Sequence, residues 1–144
     1  DFAKDAHGDI WVLANGRTIY DANWQPTGSV SGKLVKIDPS TKSIVKTINF
    51  SAPIAGFGTN NLAISKDGMT LYINNASVEA YDIASDTKTA LIDNTFWYGI
   101  DVDPFTGKIW GSTFAGKVFV YNEAGNREAE YQASAGANAC IFVK

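Results

Sequence analysis

Apolar and polar positions alternate in short runs along this chain, and turn formers close the runs. In DVDPFTGKIWGS (101–112) an alternating run leads into Pro104-Phe105-Thr106-Gly107-Lys108, and Ile109-Trp110 opens a second run. Two such runs around a Pro- and Gly-containing turn predict a β-hairpin. The arrangement recurs in SKDGMTLYIN (65–74) and in AKDAHGDIWVL (3–13). A second hairpin lies downstream of each, its strand ending at Ile37-Asp38, Tyr81-Asp82 and Tyr121-Asn122. The turns that follow, DPSTKS, DIASDTKT and NEAGNR, carry the Asp, Asn, Pro and Gly that such turns need. Upstream of two of the opening turns stands a short apolar run, Asn61-Leu62-Ala63-Ile64 and Tyr98-Gly99-Ile100-Asp101-Val102, and Asn138–Val143 repeats it at the end. These runs lack polar alternation, which predicts strands buried on both faces.

One unit is therefore four strands, here a to d, with a turn between a and b, a loop between b and c, and a turn between c and d. Tyr72 to Trp110 is 38 positions and Asp82 to Asn122 is 40. The first unit is longer because of an insertion between its strands b and c, Ala14 to Gly32. No segment has a sustained helical period with caps, so the expected fold class is all-β. Four-stranded units of about 40 residues point to a β-propeller with antiparallel blades. A β-sandwich is the alternative, but it has no need of three in-register copies. The aromatics of strand b, Trp11, Tyr72 and Trp110, are expected to fill the space between blades.

The expected blades are 1–50, 59–94 and 97–132, and 136–144 is expected to be an extra innermost strand for ring closure. Three blades and a strand leave two apolar faces open, and a closed propeller has four to eight blades, so 1–144 reads as a partial propeller, the C-terminal portion of a longer ring. The remaining blades are then its first partners.

Topology separates two faces. The a–b and c–d turns share one face, and turn chemistry alone accounts for their residues; no function is assigned to them. His7, the single histidine, sits in one of them. The b–c and d–a loops share the other face and are long or irregular. Loops on a rigid scaffold commonly carry binding. There the candidate ligand-binding residues are Arg17, Tyr20 and Trp24 in the insertion, Phe57, Phe96, Trp97 and Tyr98 in the d–a loops, and Asn75 and Phe114 in the short b–c loops. Rings beside amides suit an amphipathic ligand: the rings supply apolar area and the amides fix orientation.

No catalytic or metal-ligating constellation stands out. One histidine on the turn face offers no Ser/His/Asp set, and no His/Cys/carboxylate spacing fits a metal. Gly56-Phe57-Gly58 is not followed by the strand-to-helix transition of a phosphate loop. Asp93, Asp101 and Asp103 read as structural. Cys140 is alone, so no internal disulfide or zinc site is expected, and it reads as a small buried hydrophobe. No cofactor is expected. A formal net charge of −3 without a run of like charge gives a nucleic-acid partner no footprint. At 45% apolar and 19% charged residues the chain is globular, and no apolar stretch approaches the ~18 residues of a membrane helix. It carries no signal-peptide pattern. It opens at Asp1-Phe2 without methionine, as a mature or trimmed chain would.

The segments GDIWVLANG, GKLVKIDPSTKSIVKTI, DGMTLYI and PFTGKIWGS resemble the YncE-like, YVTN-type propellers, and within them the DUF5074 group. The resemblance spans nearly the whole chain, and its motifs are mostly turn signals. It implies a seven-bladed protein of the periplasm or outer-membrane surface of Bacteroidetes, often a lipoprotein. That group is similar to surface propellers that capture cobalamin for an outer-membrane transporter, with the ligand on the loop face. The first functional expectation is thus a non-catalytic, extracytoplasmic propeller that binds a small amphipathic ligand such as a corrinoid or a glycan. Two alternatives stay open. One is an interaction module that docks a transporter or another surface protein. The other is a lactonase or hydrolase whose catalytic residues lie on blades outside this chain.

Overall fold

A computed structural model describes residues 1–55, 60–93 and 96–143. Its ordered elements are fourteen strands, and among the described residues there is no helix, hence none long and apolar enough to cross a membrane. β1 (Phe2–Lys4), β2 (Ile10–Ala14), β5 (Lys33–Asp38) and β6 (Ser43–Asn49) form the first four-stranded antiparallel sheet, in that order. β7 (Leu62–Ile64), β8 (Thr70–Asn74), β9 (Val78–Asp82) and β10 (Thr87–Ile92) form the second. β11 (Gly99–Val102), β12 (Ile109–Ser112), β13 (Lys117–Tyr121) and β14 (Arg127–Gln132) form the third. These are propeller blades of the expected all-β class. β1, β7 and β11 lie side by side as the innermost strands. The insertion in the first blade folds as a separate hairpin, β3 (Arg17–Tyr20) with β4 (Pro26–Val30).

The turns fold as their residues dictate. Asp5 accepts hydrogen bonds from the His7 and Asp9 amides, Asp103 from the Phe105 amide, and Asn122 from the Ala124 and Asn126 amides. These Asx turns, together with glycines at positive φ such as Gly68 (72°) and Gly107 (79°), reverse the chain between strands at little cost. Adjacent a–b turns also touch: the Ala6 amide donates to the Gly68 carbonyl at 3.0 Å, and Lys66 Nζ to the Phe105 carbonyl at 2.7 Å.

The core is two layers, one between each pair of blades. Successive strand residues point to opposite faces. Leu71 and Ile73 of β8 therefore pack with Trp11, Leu13 and Leu34 of the first blade, while Tyr72 between them packs with Ile100 and Ile109 of the third. Burying each large apolar side chain contributes about 1.5–3 kcal/mol. Aromatic pairs stand at each interface: Trp11 meets Tyr81 of the second blade edge-on at 5.5 Å, and Trp97, at the entry to the third blade, meets Tyr121 in a tilted contact at 5.5 Å. The Trp11 indole N–H is satisfied by the buried Asp5 carboxylate at 2.9 Å. Burial acts to raise the Asp5 pKa, but the bonds from Trp11, Asp9 and His7 outweigh it and hold the carboxyl below its usual range. Among the described residues the corresponding Trp110 indole N–H is buried without a partner, and Asp103 bonds within its own turn to Phe105 and Thr106.

Amides join the blades near the axis. The Asn61 amide donates to the Asp1 carboxylate, tying the first blade to the second. Asn60 Nδ2 donates to the Ile100 carbonyl at 2.9 Å, tying the second to the third. Buried Asn74 reaches both Asn61 Oδ1 and the Trp97 carbonyl through Nδ2, each at 2.9 Å.

The spacing predicts an innermost strand over 136–144, yet residues 136–143 form no strand. A strand needs a ladder partner. This segment instead runs along the inner edge of the third blade on side-chain contacts. The Cys140 amide donates to Asp101 Oδ2 at 2.7 Å, and Phe142 sits edge-on to Trp110 at 5.9 Å. Cys140 is half-buried, and burial, then the Asp101 charge, pushes its thiol pKa up.

Two outcomes follow from these contacts. A Cβ on Gly111 would lie 2.2 Å from carbons of the Trp97 ring, so Gly111→Ala must displace that indole. We expect a loss of about 1–3 kcal/mol in chemical denaturation; an unchanged midpoint would contradict the packing. Burial raises the Asp101 pKa above the ordinary carboxylate range against the opposing bonds from Cys140 and Asn60. Its contribution to stability is therefore fully present below the unfolded value of about 3.9 and is lost as pH rises through the raised folded value. Asp101→Asn removes that loss. The stability of the variant relative to the wild type should improve between about pH 3.5 and pH 7, and a pH-independent difference would refute this reading.

Candidate functional site

The loop face is built from the β2–β5 insertion, the β8–β9 and β12–β13 loops, and the d–a connections. Its most prominent part is the β3–β4 hairpin, exposed along its whole length. A short Asx turn makes the tip: Asp21 Oδ1 accepts the Asn23 and Gln25 amides at 2.8 and 2.9 Å. Trp24 sits in that turn with φ of 59°, a left-handed conformation costly for a bulky residue. The turn holds the Trp24 ring 6.1 Å from Tyr20, and the two are 80% and 51% exposed. Arg17 is exposed at the start of β3. The hairpin base is fixed to the following d–a connection. The Ile54 amide donates to the Asn15 carbonyl at 2.8 Å, and Gly32 and Phe50 exchange backbone contacts with the same region.

On the third blade, Tyr98 meets Phe114 edge-on at 5.5 Å, and Phe114 is 69% exposed. Phe96 is 56% exposed and also has positive φ, 42°. Two ring pairs and one further ring thus stand on this face: Tyr20 with Trp24, Tyr98 with Phe114, and Phe96. Among the described residues no ring contact joins the hairpin pair to the Tyr98–Phe114 pair.

Two of the expected binding residues have structural roles. Trp97 is only 2% exposed and lies over Gly111 in the interface between the second and third blades, so it belongs to the core rather than to an open surface. The glycine opposite it, 14 positions away, decides this, and no local pattern reveals the pairing. Asn75 accepts the Ala55 amide through Oδ1 at 2.8 Å, fixing the second blade's b–c loop to the preceding d–a connection. Phe57 lies outside the described residues.

The sequence places Asn60 in a d–a loop and Asn74 in a b–c loop, and the structure sets both near the axis, where they bond across blades. Asn60, beside Asp101, lines a cavity of about 440 Å³ with the inner strand residues Phe2, Ala3, Leu62 and Val102. Among the described residues buried Asn74 Oδ1 has no partner. The available signal was the asparagine that precedes or opens each inner run, at 60, 61 and 138. Chemically, the loop face can offer stacking surfaces, and the axis can offer amides and one carboxyl with a raised pKa. Among the described residues no group of three His, Cys, Asp or Glu side chains is placed to hold a metal ion.

No family model matches the chain, and no curated protein matches it. Solved structures do. The gluconolactonase XC5397 of Xanthomonas campestris matches with a TM-score of 0.63 at 19% identity, over 99% of this chain and 49% of its own. A luciferin-regenerating enzyme matches with a TM-score of 0.56 at 23% identity, over 94% of this chain and 45% of its own. U3-55K matches with a TM-score of 0.52 at 12% identity, over 91% and 44%. The chain therefore spans about half the length of the structures it matches. At these identities the likeness is one of fold, and the fold is that of a β-propeller.

Proposed function

We propose that this chain is part of a ligand-binding β-propeller of the YncE-like, DUF5074 kind, whose loop face receives a small amphipathic molecule. The observation that carries the reading is the exposure of Trp24, Tyr20, Phe96 and Phe114 on one face of a rigid scaffold. Large rings held in water by backbone at positive φ, as at Trp24 and Phe96, cost free energy that folding alone does not require. Contact with an apolar ligand surface recovers it. A flat, amphipathic ring system such as a corrinoid is the first candidate, and a glycan the second. Arg17 supplies a polar edge, and Phe57 belongs to the same loop set. In this reading the protein works outside the cytoplasm, with a membrane transporter as its protein partner.

A second reading, lactone hydrolysis, is favoured by one observation. A gluconolactonase and a luciferin-regenerating enzyme share this fold over nearly the whole chain. The catalytic groups would then come largely from blades outside this chain.

The deciding experiment is a calorimetric titration of cobalamin into the protein, beside a Tyr20→Ala/Trp24→Ala/Phe114→Ala variant. These three side chains are exposed, so the variant is expected to fold. Saturable heat, weakened at least tenfold in the variant, is the expected result. No heat with cobalamin or with a panel of oligosaccharides would overturn the binding reading. Turnover of glucono-δ-lactone that a chelator abolishes would establish the second.

A further inference from the structure

Each blade has two faces, and the repeat shows what each face meets. The first blade turns Trp11, Leu13 and Leu34 toward the second, which receives them with Leu71, Ile73 and Tyr81. The next interface repeats the division. The second blade turns Tyr72, at the place of Trp11, toward the third, which receives it with Ile109 and Tyr121. A blade therefore has a forward face led by an aromatic of strand b and a receiving face led by the aliphatic residue before it.

Two faces stand open, and they are of opposite kinds. Trp110 is the third blade's counterpart of Trp11 and Tyr72, so the open face there is a forward one. It carries Trp110, Val118 and Tyr131 around a cavity of about 460 Å³, and Tyr131 is 54% exposed. On the first blade Ile10, Val12, Val35 and Ile37 alternate with the buried Trp11, Leu13 and Leu34, so they point away from the second blade. Phe2 and Ile44, paired with Val12 and Ile37, are exposed beside them. That open face is a receiving one. Exposed apolar area of this kind marks an interaction surface.

Charge at the inner strands says what covers it. Within the chain, the inner residue of each forward face is paired with the leading aromatic: Ala3 with Trp11, and Ala63 with Tyr72. The inner residue of each receiving face is paired with the leading aliphatic: Ile64 with Leu71, and Val102 with Ile109. Ala3 and Ile64 thus stand in one apolar layer, and Ala63 and Val102 in the other. At the open ends the same two places hold Asp101, paired with Trp110, and Lys4, paired with Ile10. The two departures from an apolar inner pair carry opposite charges, on faces of opposite kind. Lys4 is exposed and among the described residues forms no ion pair.

We propose that the partner on these faces is a second copy of this chain, bound head to tail, with the third blade of each copy against the first blade of the other. Two such junctions about a two-fold axis close a ring of six blades. Two copies also match the length of one whole propeller, since the chain covers 49% of the gluconolactonase structure. Lys4 of one copy then faces Asp101 of the other. Residues 136–143 stand in the way, beside β11, but they are held without a ladder by the Cys140 amide on Asp101 and by Phe142 on Trp110. The incoming β1, laddered to its own β2, takes their place. The loop faces of both copies come to one rim, and the pairing does not depend on the ligand proposed there.

The test is sedimentation equilibrium of the full chain from low to high micromolar concentration. The expected mass is twice the 15.5 kDa of one chain. Ile44→Lys and Tyr131→Glu alter exposed positions, so both variants are expected to fold. Each should be monomeric, because in a head-to-tail pair either change disrupts both junctions. An equal mixture of the two retains one unaltered junction and should recover a dimer. Lys4→Glu should weaken association about tenfold, and adding Asp101→Lys to the same chain should restore it. A monomer at every concentration, a mass that grows without limit, or a dimer that Ile44→Lys leaves intact would overturn the proposal.

Discussion

The second blade depends on the burial of both of its faces by its neighbours. A strand has two faces because successive side chains point in opposite directions, and in a propeller neither face meets water. β8 shows the constraint most clearly. Leu71 and Ile73 are committed to the first blade and Tyr72 to the third, so one short strand holds three blades in register. The wedge between blades widens outward, and aromatic side chains fill it. Trp11 fills the first interface against Tyr81, and Trp97, lying over Gly111 beside Tyr121, fills the second. At the third blade Trp110 stacks on Tyr131 and meets Phe142, both from its own end of the chain, and its indole N–H is left without an acceptor. That face differs from the other two because no further blade covers it here.

With the blades fixed, the two ends of the sheets do different work. The turn end is stereotyped: Asx turns and glycines close each hairpin, and adjacent turns bond to one another. The loop end is free to vary, since strands b and c can be joined by three residues, as at 75–77, or by an entire hairpin, as at 15–32. Large exposed rings collect there. Even so, the stereotyped end is not chemically uniform. Lys36 and Lys46 pair with Asp9 and Asp86 between the first two blades, whereas Ala80 and Thr89 at the corresponding places in the second blade line a cavity beside other carboxylates.

Much of the fold was legible in the chain, for a local reason. Period-two alternation, Asx residues and glycines at positive φ act over a few residues, so AKDAHGDIWVL, SKDGMTLYIN and DVDPFTGKIWGS each announce a hairpin without reference to the rest. Their repetition identifies four-stranded blades. No apolar period marks the hairpin in the insertion, because its strands are exposed throughout. The last segment was expected as a strand because its residues resemble the inner runs. Pairing requires a partner's edge, however, and residues 136–143 lie instead on Asp101 and Trp110.

The candidate site divides along the same line. The sequence by itself determined which residues stand in loops and on which side of the propeller, because topology carries that information. Only the tertiary structure decided that Trp97 is buried over Gly111 while Trp24 stands in water, that Asn75 is spent on Ala55, and that Tyr72 keeps company with three carboxylates and no cation. Apart from the exposure of Trp24, each of those facts is a contact between segments distant in the chain. Its energy depends on the size and charge of a residue many positions away, and no local pattern encodes that.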